Sequence, residues 1–191
     1  MVQRSNFAAM KELTIQQVET KREMNDFVNL TDKLYDGCPY YVPDLKTDIR
    51  NTFHPKKNAG LEFTDIQPFI AYNEKGDAVG RIAGIINHRA NDKWKTKNVR
   101  FGFFDFIDDL SVSSALLDAV ARWGKERGMD TLQGPMGITD FDKEGMLEQN
   151  RNHPATSCRP CRPLTYQPLA FRQFPQYKNK HPGSNKYQQR A

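Results

Sequence analysis

The chain has 191 residues, 38% of them hydrophobic, and a formal net charge of +5. That charge is unevenly spread: residues 1–147 carry 20 Lys+Arg against 22 Asp+Glu, whereas the last 44 residues carry eight basic side chains against one acid, Glu148. No stretch approaches the ~20 apolar residues of a membrane span, and residues 1–11 lack the apolar run of a signal peptide, so a cytoplasmic chain without a membrane partner is expected.

Three segments follow from the composition: a flexible N-terminus over 1–11, a folded α/β domain over 12–147, and a basic, proline-rich tail over 148–191. The middle segment is long enough to bury roughly two-thirds of its unfolded surface.

Leu13 to Val18 alternates apolar and polar, as a half-buried strand does. Thr20-Lys21-Arg22-Glu23 is a capping box that opens a helix. Met24, Phe27, Val28, Leu30, Leu34 and Tyr35 form its apolar stripe, and Gly37 and Pro39 stop it. Residues 36–61 are loop-rich, with a short helix expected near 44–52. Two strand-like runs, Pro68–Tyr72 and Ala78–Ile86, flank the turn Asn73-Glu74-Lys75-Gly76-Asp77 and predict a hairpin. A third strand is expected over Arg100–Ile107. Asp108 or Asp109 caps the next helix, whose stripe is Val112, Leu116, Ala119, Val120 and Trp123, with Gly128 as its stop. Thr131–Gly134 closes the series. The order β-α-(α)-β-β-β-α-β specifies a mixed sheet with an antiparallel hairpin and one parallel crossover. Between Gly80 and Gly84 the small residues point to close backbone approach in a central strand.

Beyond Leu147 the periodicity stops, and six of the 11 prolines fall there. Such a composition predicts disorder. Cys158-Arg159-Pro160-Cys161, with His153 and His181, is too irregular to specify zinc, so no metal site is expected. The tail's charge would attract any polyanion, and no recognition motif accompanies it, so a nucleic-acid partner is not expected.

Several strings in the first part resemble the GNAT (acyl-CoA N-acyltransferase) superfamily, and more closely the N-terminal half of a group of longer bacterial GNAT-like proteins. They are Gly37-Cys38-Pro39-Tyr40-Tyr41-Val42-Pro43, His54-Pro55-Lys56-Lys57-Asn58, Val79 to Asn87, Phe101 to Asp109, and Gly134-Pro135-Met136. The similarity covers residues 12–147, and members of that group continue into a second folded half. Its end just after Leu147 suggests a truncated protein whose residues 148–191 come from a shifted reading frame. A genuine disordered tail is the alternative.

The resemblance implies N-acyl transfer from acyl-CoA, acetyl-CoA among the donors, to an amine on a small molecule or peptide. It would place the cosubstrate beside Phe106 and Ile107 and at the start of the following helix. Helix N-termini do attract phosphate. The family's loop there is Gln/Arg-x-x-Gly-x-Gly/Ala, but this chain has Asp108-Asp109-Leu110-Ser111-Val112-Ser113-Ser114, with no glycine. Ser111, Ser113 and Ser114 are the remaining phosphate donors, although capping and surface roles explain them more simply. Asp105 is the candidate base for the amine proton, against the plain alternative that it faces solvent. His88 and the run Lys93–Lys97 read as solvated loop. A non-catalytic interaction domain of the same fold, and a nucleic-acid binder acting through the tail, stay open as other functions. An unpaired strand edge could also promote homo-oligomers.

Overall fold

A computed structural model describes residues 13–38, 41–139 and 142. The segments 1–11 and 148–191, with the Cys158–Cys161 motif, lie outside the described residues. Five strands form one sheet in the order β1-β2-β3-β4-β5: β1 Thr14–Gln17, β2 Thr64–Tyr72, β3 Ala78–Asn87, β4 Asn98–Phe106 and β5 Thr131–Gln133. The first three pairings are antiparallel and the last is parallel. The mixed sheet and the order of elements match the sequence expectation.

Helix α1 (Lys21–Leu34) begins with the anticipated capping box. Thr20 Oγ1 accepts from the Glu23 amide, and the Glu23 carboxylate accepts from the Thr20 amide. It buries Phe27, Val28, Leu30 and Thr31. Phe27 and Val28 pack with Ile49 of α2 (Lys46–Thr52), Ile70 and Ala83 to form the core on one face of the sheet.

The opposite face belongs to α4 (Leu110–Glu126), the crossover between β4 and β5. Its expected stripe, Val112, Leu116, Ala119, Val120 and Trp123, is buried against Ile82, Ile86, Val99 and Phe101. Glycines let this helix sit close to the sheet. A Cβ on Gly80 would come within 2.8 Å of Leu116 and Val112, and one on Gly84 within 3.0 Å of Trp123.

Three local expectations need correction. Strand β2 starts at Thr64, not Pro68, and β4 starts at Asn98. His88–Trp94 is a short helix, α3, rather than solvated loop. Asn87 caps it by accepting from the Ala90 amide at 2.9 Å. Because α3 buries no residue, it carries no apolar period for the sequence to show.

Candidate active site

Strand β4 is irregular where a site is expected. Arg81 of β3 faces Asp105 of β4, yet the next register pair is Ala83 with Gly102. One surplus β4 residue is therefore a bulge, and Phe103 takes φ 50° to absorb it. The bulge breaks the alternation of faces, so Phe101, Phe104 and Phe106 all enter the core beneath α4. Phe103 turns the other way, against Phe53 at 5.3 Å and Phe27 at 5.9 Å.

On that second face lies a buried cation. Arg81 is 3% exposed and places Nε and Nη2 on Asp105 Oδ2, at 2.9 and 2.8 Å. Nη1 donates to the Phe27 carbonyl at 2.8 Å. The guanidinium lies 5.2 Å from the Phe27 ring and 5.8 Å from that of Phe103. Asp105 therefore does not simply face solvent; its side chain is 21% exposed.

The other Asp105 oxygen, Oδ1, accepts from Tyr35 Oη at 3.0 Å. Burial, and then the Asp105 charge beside it, push the Tyr35 phenol above its ordinary range, so it stays protonated. Tyr35 stacks on Tyr41 at 4.9 Å, and Tyr41 donates to Asp32 at 3.4 Å. A carboxylate oxygen can accept two hydrogen bonds, which leaves Oδ1 room for a further donor.

The start of α4 is built differently. Asp109 is the N-cap, and its Oδ1 accepts from the Ser111 amide at 2.9 Å and from Ser111 Oγ at 2.6 Å. A carboxylate thus occupies the place that would favour a phosphate. Ser113 Oγ is buried and returns to the Leu110 carbonyl at 3.0 Å, while Ser114 is half-buried on the helix. Phe106 is 6% exposed in the core, and Ile107 packs against the same cluster. The side chains of Phe106 and Ser113 are thereby committed within the fold.

Beside them, the outer edge of β4 is paired over only part of its length among the described residues. Its pairing with β5 covers Asn98, Val99 and Arg100 alone. The chain leaving β5 stays close for one more contact: the Met136 amide donates to the Phe101 carbonyl at 2.8 Å. A Cβ on Gly102 would lie 2.8 Å from the Met136 carbonyl. Past this point β4 pairs on its β3 side, and among the described residues no strand flanks Phe103–Phe106 on the other.

The sequence reading singled out Asp105 but not its partners Arg81 and Tyr35. The signal for Arg81 was available: a lone charge within the run Val79 to Ile86 must be paired if the strand is buried on both faces. His88 bonds Asp65 at 3.0 Å, and this pair lies at the far end of β3 from Asp105. A groove of about 610 Å³ between β1 and α4, lined by Leu13, Ile15, Ala115 and Arg122, is on the opposite face from Asp105 and contains none of the candidate residues. Among the described residues there is no helix long and apolar enough to cross a membrane and no cluster of metal-ligating side chains.

No family model matches the chain. It is 28% identical over 140 residues to protein YghO of Escherichia coli, covering 73% of this chain and 35% of that protein. It is 26% identical over 137 residues to a bacterial ceramide synthase of Caulobacter vibrioides, covering 71% and 35%. The chain thus spans about a third of the length of these curated relatives. Among solved structures, it is similar to a tandem GNAT protein from the clavulanic acid biosynthesis pathway, at 14% identity and TM-score 0.48, covering 63% of this chain and 35% of that one. It is also similar to a GNAT-family acetyltransferase of Staphylococcus aureus Mu50, at 15% identity and TM-score 0.46, covering 66% and 75%.

Proposed function

We propose that this GNAT-like domain serves in N-acyl transfer from acyl-CoA to an amine. The observation that carries the reading is the β4 edge over Phe103–Phe106, unpaired among the described residues, next to a carboxylate with a spare acceptor position. A strand edge offers N–H and C=O groups in a row, which suits the amide-containing arm of an acyl-CoA. The name of the ceramide synthase relative supports amide formation as the class. When bound, the thioester would supply an activated acyl carbon.

Asp105 Oδ1 is placed to accept an N–H of the incoming amine and to take its proton as the C–N bond forms and the C–S bond breaks. Tyr35, held protonated against the same oxygen, orients that carboxylate. Arg81 anchors it through Oδ2. Outer-edge amides of β4 can donate to the carbonyl oxygen as charge develops there.

The fit to the cosubstrate is uneven. The strand edge suits it, while the Asp109 carboxylate at the start of α4 opposes a diphosphate. Two like unit charges at ~4 Å repel by about 4 kcal/mol at an effective dielectric near 20. Ser114 is the hydroxyl left to offset this, since Ser111 Oγ donates to Asp109 and Ser113 Oγ to the Leu110 carbonyl. That same opposition favours the second reading, an interaction domain that has kept the fold without the chemistry.

Calorimetry with acetyl-CoA and a longer acyl-CoA on the 191-residue chain tests the choice. Saturable binding that weakens in Asp105→Asn or shifts with acyl length supports transfer. No heat with either donor rejects it in favour of the interaction domain.

A further inference from the structure

We propose that the Arg81–Asp105 pair is a brace that sets the kink in β4 and so fixes the course of its outer edge. The inference deepens the acyl-transfer reading only in saying what that edge serves; the brace itself rests on the fold.

The two residues are cross-strand partners directly beside the bulge, with Phe103 between Asp105 and the next pair at Gly102. A phenylalanine at φ 50° is uncommon, and no glycine or turn accounts for it here. The guanidinium of Arg81 lies against Phe103 beside the rings of Phe53 and Phe27. Its planar fork is fixed at Asp105 Oδ2 and the Phe27 carbonyl, and its plane is flanked by the rings of Phe27 and Phe103. A buried fork tied to two strands and a helix cannot slide. It therefore holds Asp105 and Phe103 on the α1 face, while Phe104 and Phe106 stay beneath α4. Pairing with β5 ends at Arg100, where β5 itself ends at Gln133, and the bulge lies just beyond, where β4 follows β3. Arg81 acts through Asp105 and Phe103 and is a positioning residue.

The test compares wild type, Arg81→Lys and the uncharged double variant Arg81→Met/Asp105→Leu, all in the 191-residue chain. Removing both charges avoids stranding one of them, so the double variant is expected to fold. Hydrogen exchange of segment 103–107, whose Ile107 amide donates to the Val79 carbonyl, is followed beside that of β2. In the double variant this segment should exchange roughly tenfold faster, the scale of one charged hydrogen bond lost, while β2 keeps its protection. Arg81→Lys should keep its thermal midpoint but not the local protection, because an ammonium lacks the fork. Acetyl-CoA affinity should fall in parallel with the exchange change. Equal acceleration in β2 and β4, or no change in either, overturns the brace. If wild type binds no acyl-CoA, the transfer reading fails, and the exchange data still decide the brace.

Discussion

Arg81 and Asp105 meet on either side of the point where β3 and β4 fall out of step, one 3% and the other 21% exposed. Removing one member strands the other. Arg81→Met should therefore cost about 3 kcal/mol, the low end for a broken buried pair because Asp105 retains some water. Tyr35→Phe, which removes one hydrogen bond to the same carboxylate, should cost about 1 kcal/mol. Urea unfolding of both variants measures the contrast.

Helix α4 rests on two β3 glycines. Gly84→Ala forces a methyl to within 3.0 Å of the Trp123 ring, and overpacking of this kind costs about 1–3 kcal/mol. Gly102→Ala meets backbone instead, at the Met136 carbonyl. It should destabilise at least as much, because a carbonyl cannot rotate away as a ring can. Thermal unfolding checks both.

Asp109 caps α4 while opposing any anion there. Asp109→Asn keeps the cap and removes the charge, so its stability should match wild type and acyl-CoA affinity should rise several-fold. Asp109→Ala should lose about 1 kcal/mol of stability. Calorimetry beside thermal unfolding separates the two effects, and unchanged affinity in Asp109→Asn would place the diphosphate away from the helix start.

Alkaline pH should loosen the α1 face. Burial, with the hydrogen bond to Asp26 at 3.0 Å next, pushes the Tyr72 phenol up to about 12 from 10.0. The folded chain holds this proton more tightly than the unfolded chain. Its contribution is thus complete below about pH 10 and is lost as pH climbs towards 12. Tyr72→Phe should flatten that decline, leaving a residual slope from Tyr35, whose phenol is raised in the same direction. Melting temperatures of both proteins across this window give the comparison.

Much of the frame was legible from local chemistry. The Thr20–Glu23 box, the α4 stripe and the Asn73–Asp77 turn are short-range patterns, and each recurs in the structure. What escaped was set by contacts between distant residues. The bulge at Phe103 depends on β3, and its trace in the sequence is faint: Phe101, Phe104 and Phe106 cannot share a face of a regular strand. Asp105 was found because it is a carboxylate on the right strand. Arg81, 24 positions away, acquires its meaning only once the hairpin closes.

Strand β3 separates two tasks by parity. Gly80, Ile82, Gly84 and Ile86 look toward α4, whereas Arg81 and Ala83 look toward α1. Substitutions at these even numbers should loosen the seat of α4, and those at Arg81 and Ala83 the packing against α1. A saturation library over residues 80–83 would then show, position by position, which of the two cores each side chain supports.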